Sequence, residues 1–306
     1  MKIAFFGECM IELSGQPLQR TFGGDTLNTA LYLSRLGGSR ELVVSYATAL
    51  GIDKISHDMM ESWQAEQIDT QMVRKLENKL PGLYLVETEP NGERHIHYWR
   101  NDSAAKFYFS ADYSPLEQAI DENRIDGLYI SGISLAILAE ESKAILITLL
   151  EKHKKNGGKL FFYNNFRSQL WTSKQAQYWY SQVLPFADIA LSSEEDDRLV
   201  WGDIDVVEHY RQLGCHEVVV RQGRESCKVA TRLQTLQPDY FYVVANQPER
   251  VVDPCAIGDA FAAGYLASRL DGGTGSAAAE LGHQLASIVI QHPGAIIPSG
   301  AMKELM

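Results

Sequence analysis

Residues 253–264 read DPCAIGDAFAAG, a run of small residues that leads through an acidic residue into an apolar segment. This pattern predicts a helix that opens at Asp259, with the backbone N–H groups of residues 256–259 free of intrahelical partners. Because such groups lie at the positive end of a helix dipole, the loop is suited to bind an anion. An aspartate here is also a common helix cap, so the stretch by itself leaves a purely structural role open.

Short apolar runs alternate with longer segments of helical spacing over most of the chain. The predicted strands are 2–6, 41–49, 127–131, 159–163, 187–191 and 217–221, and the predicted helices are 26–36, 54–66, 139–155, 173–182, 204–213, 259–270 and 275–291. Continuous apolar strands separated by helices are typical of a parallel sheet that is covered on both faces. We therefore predict a doubly wound α/β core.

Residues 70–110 break this alternation with two strand-like segments around a strong turn signal, Pro90-Asn91-Gly92. The two predicted strands are 82–87 and 93–99. Apolar and charged residues also alternate over residues 9–13. We expect this early segment to join the hairpin in a small sheet that stands off the core as a lid, with strands from about 9–20 and 70–110.

Composition and charge exclude several classes of protein. The chain has 306 residues and a net charge of -11 without a long basic run, which argues against binding to a nucleic-acid backbone. No apolar run approaches the roughly 20 residues of a membrane span, and the apolar N-terminus is too short for a signal peptide. Four scattered cysteines predict neither a zinc site nor a disulfide framework. We expect one cytoplasmic domain, 1–306, with no membrane partner.

The loop before Asp259 has the features that phosphoryl transfer needs. Free backbone N–H groups can hold the negative charge that develops on a transferred phosphoryl group, and the Asp259 carboxylate, kept ionised by the helix dipole, can accept the proton of an attacking hydroxyl.

A second candidate site is the stretch FGGDTLNTA at residues 22–30. The two glycines let the backbone approach a ligand, Asp25 supplies acceptors for hydroxyl groups, and Asn28 projects from the first turn of a predicted helix. On its own, Gly-Gly-Asp is also an ordinary turn and helix cap.

Two further clusters contain an arginine that is suited to a carboxylate or a phosphoryl group. Residues 163–167, YNNFR, follow a predicted strand, at the edge where open α/β sheets bind ligands. Tyr98 and Arg100 share one face of the predicted hairpin. A salt-bridged loop arginine and a solvated edge strand are the structural alternatives.

Taken in their order along the chain, these motifs resemble those of the PfkB carbohydrate kinases. The stretch 253–264 is similar to the family's D-T-x-G-A-G-D-x-F pattern, with Ala256 at its first glycine and Ile257 at the small residue that follows. Residues 163–167 are similar to D-x-N-x-R, with Tyr163 in place of the aspartate. The forms GGDTLN at 23–28 and GECMIEL at 7–13 resemble the 2-keto-3-deoxygluconate kinases within that family.

The resemblance implies a ribokinase-like three-layer α/β/α fold, with a doubly wound, mostly parallel sheet and a small β-sheet lid. It implies transfer of the γ-phosphoryl group of ATP to 2-keto-3-deoxy-D-gluconate, a small sugar acid, giving the 6-phosphate. It implies ATP and Mg²⁺ as cofactors, leaves a monovalent cation open, and makes a homodimer through the lid an expectation.

The resemblance also implies the site residues. The catalytic residues would be Asp259 as general base, Gly258, Ile257, Ala256 and Arg167. The substrate-binding residues would be Gly23, Gly24, Asp25, Thr26, Leu27, Asn28, Tyr84, Tyr98, Arg100, Asn165, Arg167 and Asp259. The nucleotide would lie against Ser192, Arg221, Gly223, Arg224, Ser226, Ala256 and Gly258. Glu195 would organise the metal through water.

Two other functions remain open at this point. A fructokinase or ribokinase of the same family would share the catalysis without an arginine that recognises an acid. A sugar or nucleotide sensor on the same fold would bind without turnover, and the departures at Tyr163, Pro254-Cys255 and Ile257 are compatible with it.

Overall fold

The computed structural model describes residues 1–37, 42–88, 94–110 and 112–305. The strands are β1 (Lys2–Phe6), β2 (Met10–Ser14), β3 (Gln19–Gly23), β4 (Val43–Leu50), β5 (Val73–Lys75), β6 (Leu83–Thr88), β7 (Arg94–Trp99), β8 (Gly127–Ser131), β9 (Lys159–Tyr163), β10 (Ile189–Ser193), β11 (Glu217–Gln222), β12 (Ser226–Thr231) and β13 (Asp239–Val244). The helices are α1 (Asp25–Leu36), α2 (Lys54–Ala65), α3 (Pro115–Asp121), α4 (Gly132–Ala136), α5 (Glu140–Lys155), α6 (Ser173–Val183), α7 (Glu194–Trp201), α8 (Val206–Gln212), α9 (Ile257–Leu270) and α10 (Gly275–Val289).

Within the described residues these strands form two sheets. The large sheet has the order β13-β12-β11-β10-β9-β8-β1-β4-β5. The strands from β11 to β5 in this order are parallel. Strand β12 pairs antiparallel with β11 and with β13. The small sheet has the order β3-β2-β6-β7, in which a parallel β2–β6 pair joins two antiparallel pairs. The predicted doubly wound, mostly parallel α/β fold with a small separate sheet is confirmed.

The first strand shows why the large sheet is covered on both faces. Ile3 and Phe5 belong to one hydrophobic core and Ala4 and Phe6 to the other, and each of these four residues is at most 1% exposed. Helices α1, α2, α9 and α10 pack on the first face, and α3, α5, α6, α7 and α8 pack on the second. Since full burial of a large apolar side chain contributes about 1.5–3 kcal/mol, a strand that is apolar at four consecutive positions, from Ile3 to Phe6, favours this three-layer arrangement.

Several boundaries differ from the prediction. Strand β10 runs over Ile189–Ser193 instead of 187–191, because the chain up to Phe186 forms a short 3-10 helix that ends at Ala187. Helix α7 begins directly after β10, and the Ser193 side chain caps it by accepting from the Asp196 N–H. The turn Pro90-Asn91-Gly92 and residues 41 and 93 lie outside the described residues, but β6 and β7 pair as the predicted hairpin requires.

The sheet order determines where a cleft forms. Strand β1 lies between β4 and β8, so the chain continues to opposite sides of β1. Ligands of open α/β sheets bind at such a point, beyond the carboxyl ends of the strands. The small sheet stands at this edge, because β2 follows β1 after only Gly7–Cys9. In the described part of the chain, no helix combines the length and the apolar character needed to cross a bilayer.

Candidate active site

A cleft of about 670 Å³ lies between the small sheet, the carboxyl ends of the parallel strands and the loop before α9. The predicted site residues that line it are Gly23, Gly24, Asp25, Asn28, Tyr84, Tyr98, Arg100, Asn165, Arg167, Glu195, Arg221, Gly223, Arg224, Ala256, Ile257, Gly258 and Asp259. Another cavity, of about 480 Å³, lies between α8 and the β12–β13 hairpin and contains no predicted site residue.

The loop before α9 has the geometry of an anion site. The helix begins at Ile257, two residues earlier than predicted, and no described side chain caps it. Its N-cap residue, Ala256, is left-handed with φ 57°, a conformation that favours glycine. A Cβ at Gly258 would collide with the Tyr163 hydroxyl and lie 3.0 Å from Arg221 Nη2, so a larger residue here would displace one or both of these side chains. The uncapped N–H groups of the first turn therefore remain available for an anion.

Asp259 lies in the first turn of α9 and is 8% exposed. It does not cap the helix. Instead its Oδ2 accepts a hydrogen bond of 2.9 Å from Asn28 Nδ2 of helix α1. Burial, and then the neighbouring Asp25 carboxylate, raise the pKa of Asp259 to about 7, against the opposing effects of Asn28, Arg167 and Arg221. Burial therefore opposes the helix dipole, which we expected to keep this group ionised.

Asn165, in the loop after strand β9, connects that side of the cleft to Asp25. Its Nδ2 donates to Asp25 Oδ2 at 2.8 Å, and its backbone is left-handed with φ 33°. The Arg167 side chain lines the cleft and is 47% exposed. Its Nη1 donates to the Phe166 carbonyl oxygen at 2.8 Å and lies 3.7 Å from Asp196 Oδ1. Burial raises the pKa of Asp196.

The small sheet contributes Tyr84, Tyr98 and Arg100. The Tyr84 hydroxyl donates to the Glu12 carboxylate, and the Arg100 guanidinium forms an ion pair with Glu8. The rings of Tyr84 and Tyr98 lie 5.9 Å apart, and Tyr98 is half exposed. The three side chains line the same cleft as Asp259.

Strand β11 and helix α10 form a groove that continues the cleft. The groove and the cleft share four lining residues: Arg221, Gly223, Arg224 and Ile257. Arg221 Nη2 donates to the Tyr163 hydroxyl at 3.0 Å. The rest of the groove is apolar or weakly polar: Ala245, Asn246, Pro248, Phe261, His283, Ala286, Ser287 and Ile290. These residues were not predicted as site residues. For His283, Ala286 and Ser287 the helical spacing of α10 was the available signal. Burial lowers the pKa of His283 to about 4, so this imidazole is neutral.

Four predicted site residues do not line the cleft. Two of them, Thr26 and Leu27, are fully buried because their positions on α1 face the core. The Thr26 hydroxyl forms a hydrogen bond of 3.0 Å with the Tyr46 hydroxyl. Ser192 is buried inside β10 and points at Val219 O. Ser226 is buried at the start of β12, where its hydroxyl donates to Gln222 Oε1.

Helix α7 contributes acidic residues, of which only Glu195 was predicted as a site residue. Glu195 and Asp196 line the cleft, and Asp197 is buried beneath it. The acidic run at residues 194–197 was the available signal for Asp196. No group of three or more His, Cys, Asp or Glu residues that could hold a metal ion occurs in the described ranges. A Mg²⁺ that is shared with phosphate needs only one or two carboxylates, and Glu195 and Asp196 meet that requirement.

Comparison with known proteins identifies the family. The model of the pfkB family carbohydrate kinases matches residues 1–301. The chain belongs to this family. Among curated pfkB kinases it is 46% identical over 309 residues to the 2-dehydro-3-deoxygluconokinase of Escherichia coli K12, covering 98% of both chains. It is 39% identical to the enzyme of the same name from Haemophilus influenzae, covering 99% of this chain and 98% of the other. As a member of this family the protein is a phosphotransferase that acts on a sugar.

Solved structures share the pfkB fold. The PfkB protein from Polaromonas sp. JS666 superimposes with a TM-score of 0.82 at 24% identity, covering 99% of both chains. A putative ribokinase II from E. coli, solved in complex with ATP and Mg²⁺, superimposes with a TM-score of 0.82 at 17% identity and covers 99% of this chain and 98% of its own.

Proposed function

We propose that this pfkB kinase transfers the γ-phosphoryl group of ATP to 2-dehydro-3-deoxygluconate, which is 2-keto-3-deoxy-D-gluconate, giving the 6-phosphate. One observation carries the proposal: a single cleft is lined by Asp259, in the first turn of α9 beside its uncapped N-terminus, and by Arg100. The identity of 46% with 2-dehydro-3-deoxygluconokinases over nearly the whole chain supports this substrate.

In the proposed mechanism Asp259 is the general base. Its carboxylate accepts the proton of the attacking hydroxyl while the oxygen–phosphorus bond forms and the bond between the γ-phosphorus and the ADP oxygen breaks. The backbone N–H groups of residues 256–259 bind the oxygens of the transferred group, and Arg167 and Arg221, which line the same cleft, add positive charge. A pKa near 7 suits a base that works at neutral pH.

The nucleotide would lie along the groove between β11 and α10. Arg221 stands where the groove meets the cleft, its guanidinium 5.8 Å from the centre of the Phe261 ring, so it would meet the phosphate groups. Gly223 and Arg224 would flank the nucleotide, with its apolar part against Ile257 and His283. Mg²⁺ supplies charge neutralisation at the phosphates, and Glu195 and Asp196 would hold it, directly or through water.

The substrate carboxylate would lie at the small-sheet wall. Arg100 offers charge, and Tyr98 and Tyr84 offer hydroxyl groups. Asp25, Asn28 and Asn165 would bind the substrate hydroxyls, since their polar atoms lie at the base of the cleft. We propose that the small sheet is a lid whose closure over the substrate keeps water from the γ-phosphate.

A neutral sugar is the second candidate substrate, because Arg100 is already paired with Glu8. The identity of 29% with a fructokinase of Klebsiella pneumoniae, over 87% of this chain and 83% of the other, supports the same alternative.

A coupled assay of ADP release decides between these functions. We expect turnover with 2-keto-3-deoxy-D-gluconate to exceed that with fructose or ribose by at least about 100-fold in kcat/KM, a ratio typical of a charged contact. Faster turnover of fructose or ribose contradicts the substrate. Binding of sugar and nucleotide without ADP release contradicts the kinase reaction and supports a sensor.

We also propose a homodimer through the small sheet. Trp99, on the face of β7 opposite to Tyr98, is 59% exposed, and a partner sheet would cover this apolar side chain. A monomeric mass by light scattering at assay concentration contradicts this proposal.

A further inference from the structure

Glu8 is a buried carboxylate that the proposed reaction does not use. It lies in the short loop between β1 and β2, and its side chain is 1% exposed. Its one described side-chain partner is Arg100, 92 residues away and directly after β7, whose Nη2 donates to Glu8 Oε2. The Arg100 side chain is 11% exposed.

The backbone around Glu8 leaves the carboxylate little freedom. A Cβ at Gly82 would lie 2.7 Å from Glu8 Oε1 and 3.2 Å from Arg100 Cβ, and a Cβ at Gly24 would collide with the Glu8 carbonyl oxygen. The carboxylate therefore lies between the Gly23-Gly24 segment and the start of β6, at the back of the Arg100 side chain. The cleft wall includes both Glu8 and Arg100.

The Glu8–Arg100 contact uses only part of each group. Glu8 Oε1 and Arg100 Nε are buried without a hydrogen-bond partner among the described residues. A guanidinium has five N–H donors in a rigid plane, so an ion pair through Nη2 fixes that plane and leaves further donors. An arginine with no such partner would have to order its long side chain when the substrate binds.

We infer that Glu8 is a positioning residue, which holds the Arg100 guanidinium at the cleft wall and thereby sets the preference for an acidic substrate over a neutral one. This inference rests on the proposed function. When the cleft contains no acid, Glu8 neutralises Arg100. When an acid is bound, Glu8 keeps the guanidinium plane oriented, so that a donor of Arg100 that Glu8 does not use meets the substrate carboxylate. A neutral sugar offers no anion to that donor and gains nothing from the oriented arginine.

The first test compares two substrates that differ only at carbon 1: 2-keto-3-deoxy-D-gluconate and 3-deoxyfructose, in which a hydroxymethyl group replaces the carboxylate. We expect Glu8→Gln to raise KM for the sugar acid about tenfold, the loss of one charged hydrogen-bond partner, with kcat within about twofold. KM for 3-deoxyfructose should not change. Asp58→Asn is the matched control, because Asp58 also pairs with a small-sheet arginine, Arg20, at 2.9 Å but outside the cleft.

The second test is a double-variant cycle of Glu8→Gln and Arg100→Ala. Arg100→Ala alone leaves a buried carboxylate without its counter-ion, so we expect its Tm to fall, and Glu8→Gln added to it should restore part of the loss. In the Arg100→Ala background, Glu8→Gln should not raise KM for the sugar acid further. Isothermal titration with the sugar acid provides the same comparison without turnover.

The outcomes separate the inference from the proposed function. If the parent enzyme does not phosphorylate the sugar acid, the proposed function fails. If the parent phosphorylates it but Glu8→Gln leaves KM unchanged, lowers it, or raises it equally for 3-deoxyfructose, only the positioning role is overturned. Additive changes of Tm in the cycle also overturn it, because they show that Glu8 and Arg100 do not act as a pair.

Discussion

The environment of the Asp259 carboxylate opposes the ionisation that its proposed role requires. As the proposed general base this carboxylate must be ionised, whereas burial beside Asp25 raises its pKa to about 7. We therefore expect kcat/KM to rise with pH up to about 7 and then to level off. Asp259→Asn should lower kcat by about 10²- to 10⁴-fold. The amide oxygen of the new side chain can still accept the hydrogen bond from Asn28, so the variant tests the loss of the base and not the loss of this contact. A pH profile that is flat between 5 and 8 contradicts this role.

The same pKa shift has a consequence for stability. A pKa that is higher in the folded protein than the ordinary 3.8 gives stability that is present at low pH and is lost as pH rises through about 7. Asp259→Asn removes that loss, so the variant should be more stable than its parent at pH 8, on the order of 2 kcal/mol, with a smaller difference at pH 5. Thermal unfolding at both pH values measures this, and a variant that is less stable at pH 8 contradicts it.

Ala256 occupies a backbone conformation that costs an alanine about 1–2 kcal/mol. Ala256→Gly should therefore raise the free energy of unfolding by about 1 kcal/mol and leave activity intact, since the loop keeps its shape. Ala262→Gly, within the same helix, is the control and should lower it by at least about 1 kcal/mol. Urea unfolding compares the two, and a loss of stability in Ala256→Gly would show that the left-handed conformation is not strained.

At the scale of elements, helix α7 is fixed beneath the cleft by Asp197. This buried carboxylate accepts from Asn164 Nδ2 at 2.8 Å and from the Tyr210 hydroxyl at 2.7 Å, which joins α7 to β9 and α8. Burial raises its pKa to about 6. Tyr210→Phe should cost about 1.5–3 kcal/mol at pH 8, where the acceptor is charged, and less at pH 5. Tyr178→Phe, at an exposed tyrosine, is the control and should leave the free energy of unfolding unchanged. Equal losses of stability in Tyr210→Phe at both pH values would contradict the role of the Asp197 charge.

The elements also show what a sequence can and cannot predict. Strands β1, β8 and β9 have the predicted limits, because they are buried on both faces and read as unbroken apolar runs. Strand β13 was missed: its apolar residues Tyr240, Tyr242 and Val244 are exposed at the end of the sheet, so its pattern does not indicate a buried strand. The stretches around Asp25 and Asp259 could be predicted from motif and family resemblance. The Glu8–Arg100 pair could not, since its partners are 92 residues apart and neither motif implies the other.

At the scale of the whole molecule, the cleft lies between two sheets that different parts of the chain build. The substrate would therefore connect the small sheet, through Arg100 and Tyr98, to the loop before α9. We expect hydrogen exchange of the β6 and β7 amides to slow when 2-keto-3-deoxy-D-gluconate binds, because local opening of the lid then breaks contacts with the ligand. The amides of β12 and β13, at the far end of the large sheet, are the internal control and should exchange as before. Equal protection of both regions would indicate general stabilisation instead, and an unchanged β6–β7 pair would mean that the small sheet is not a lid.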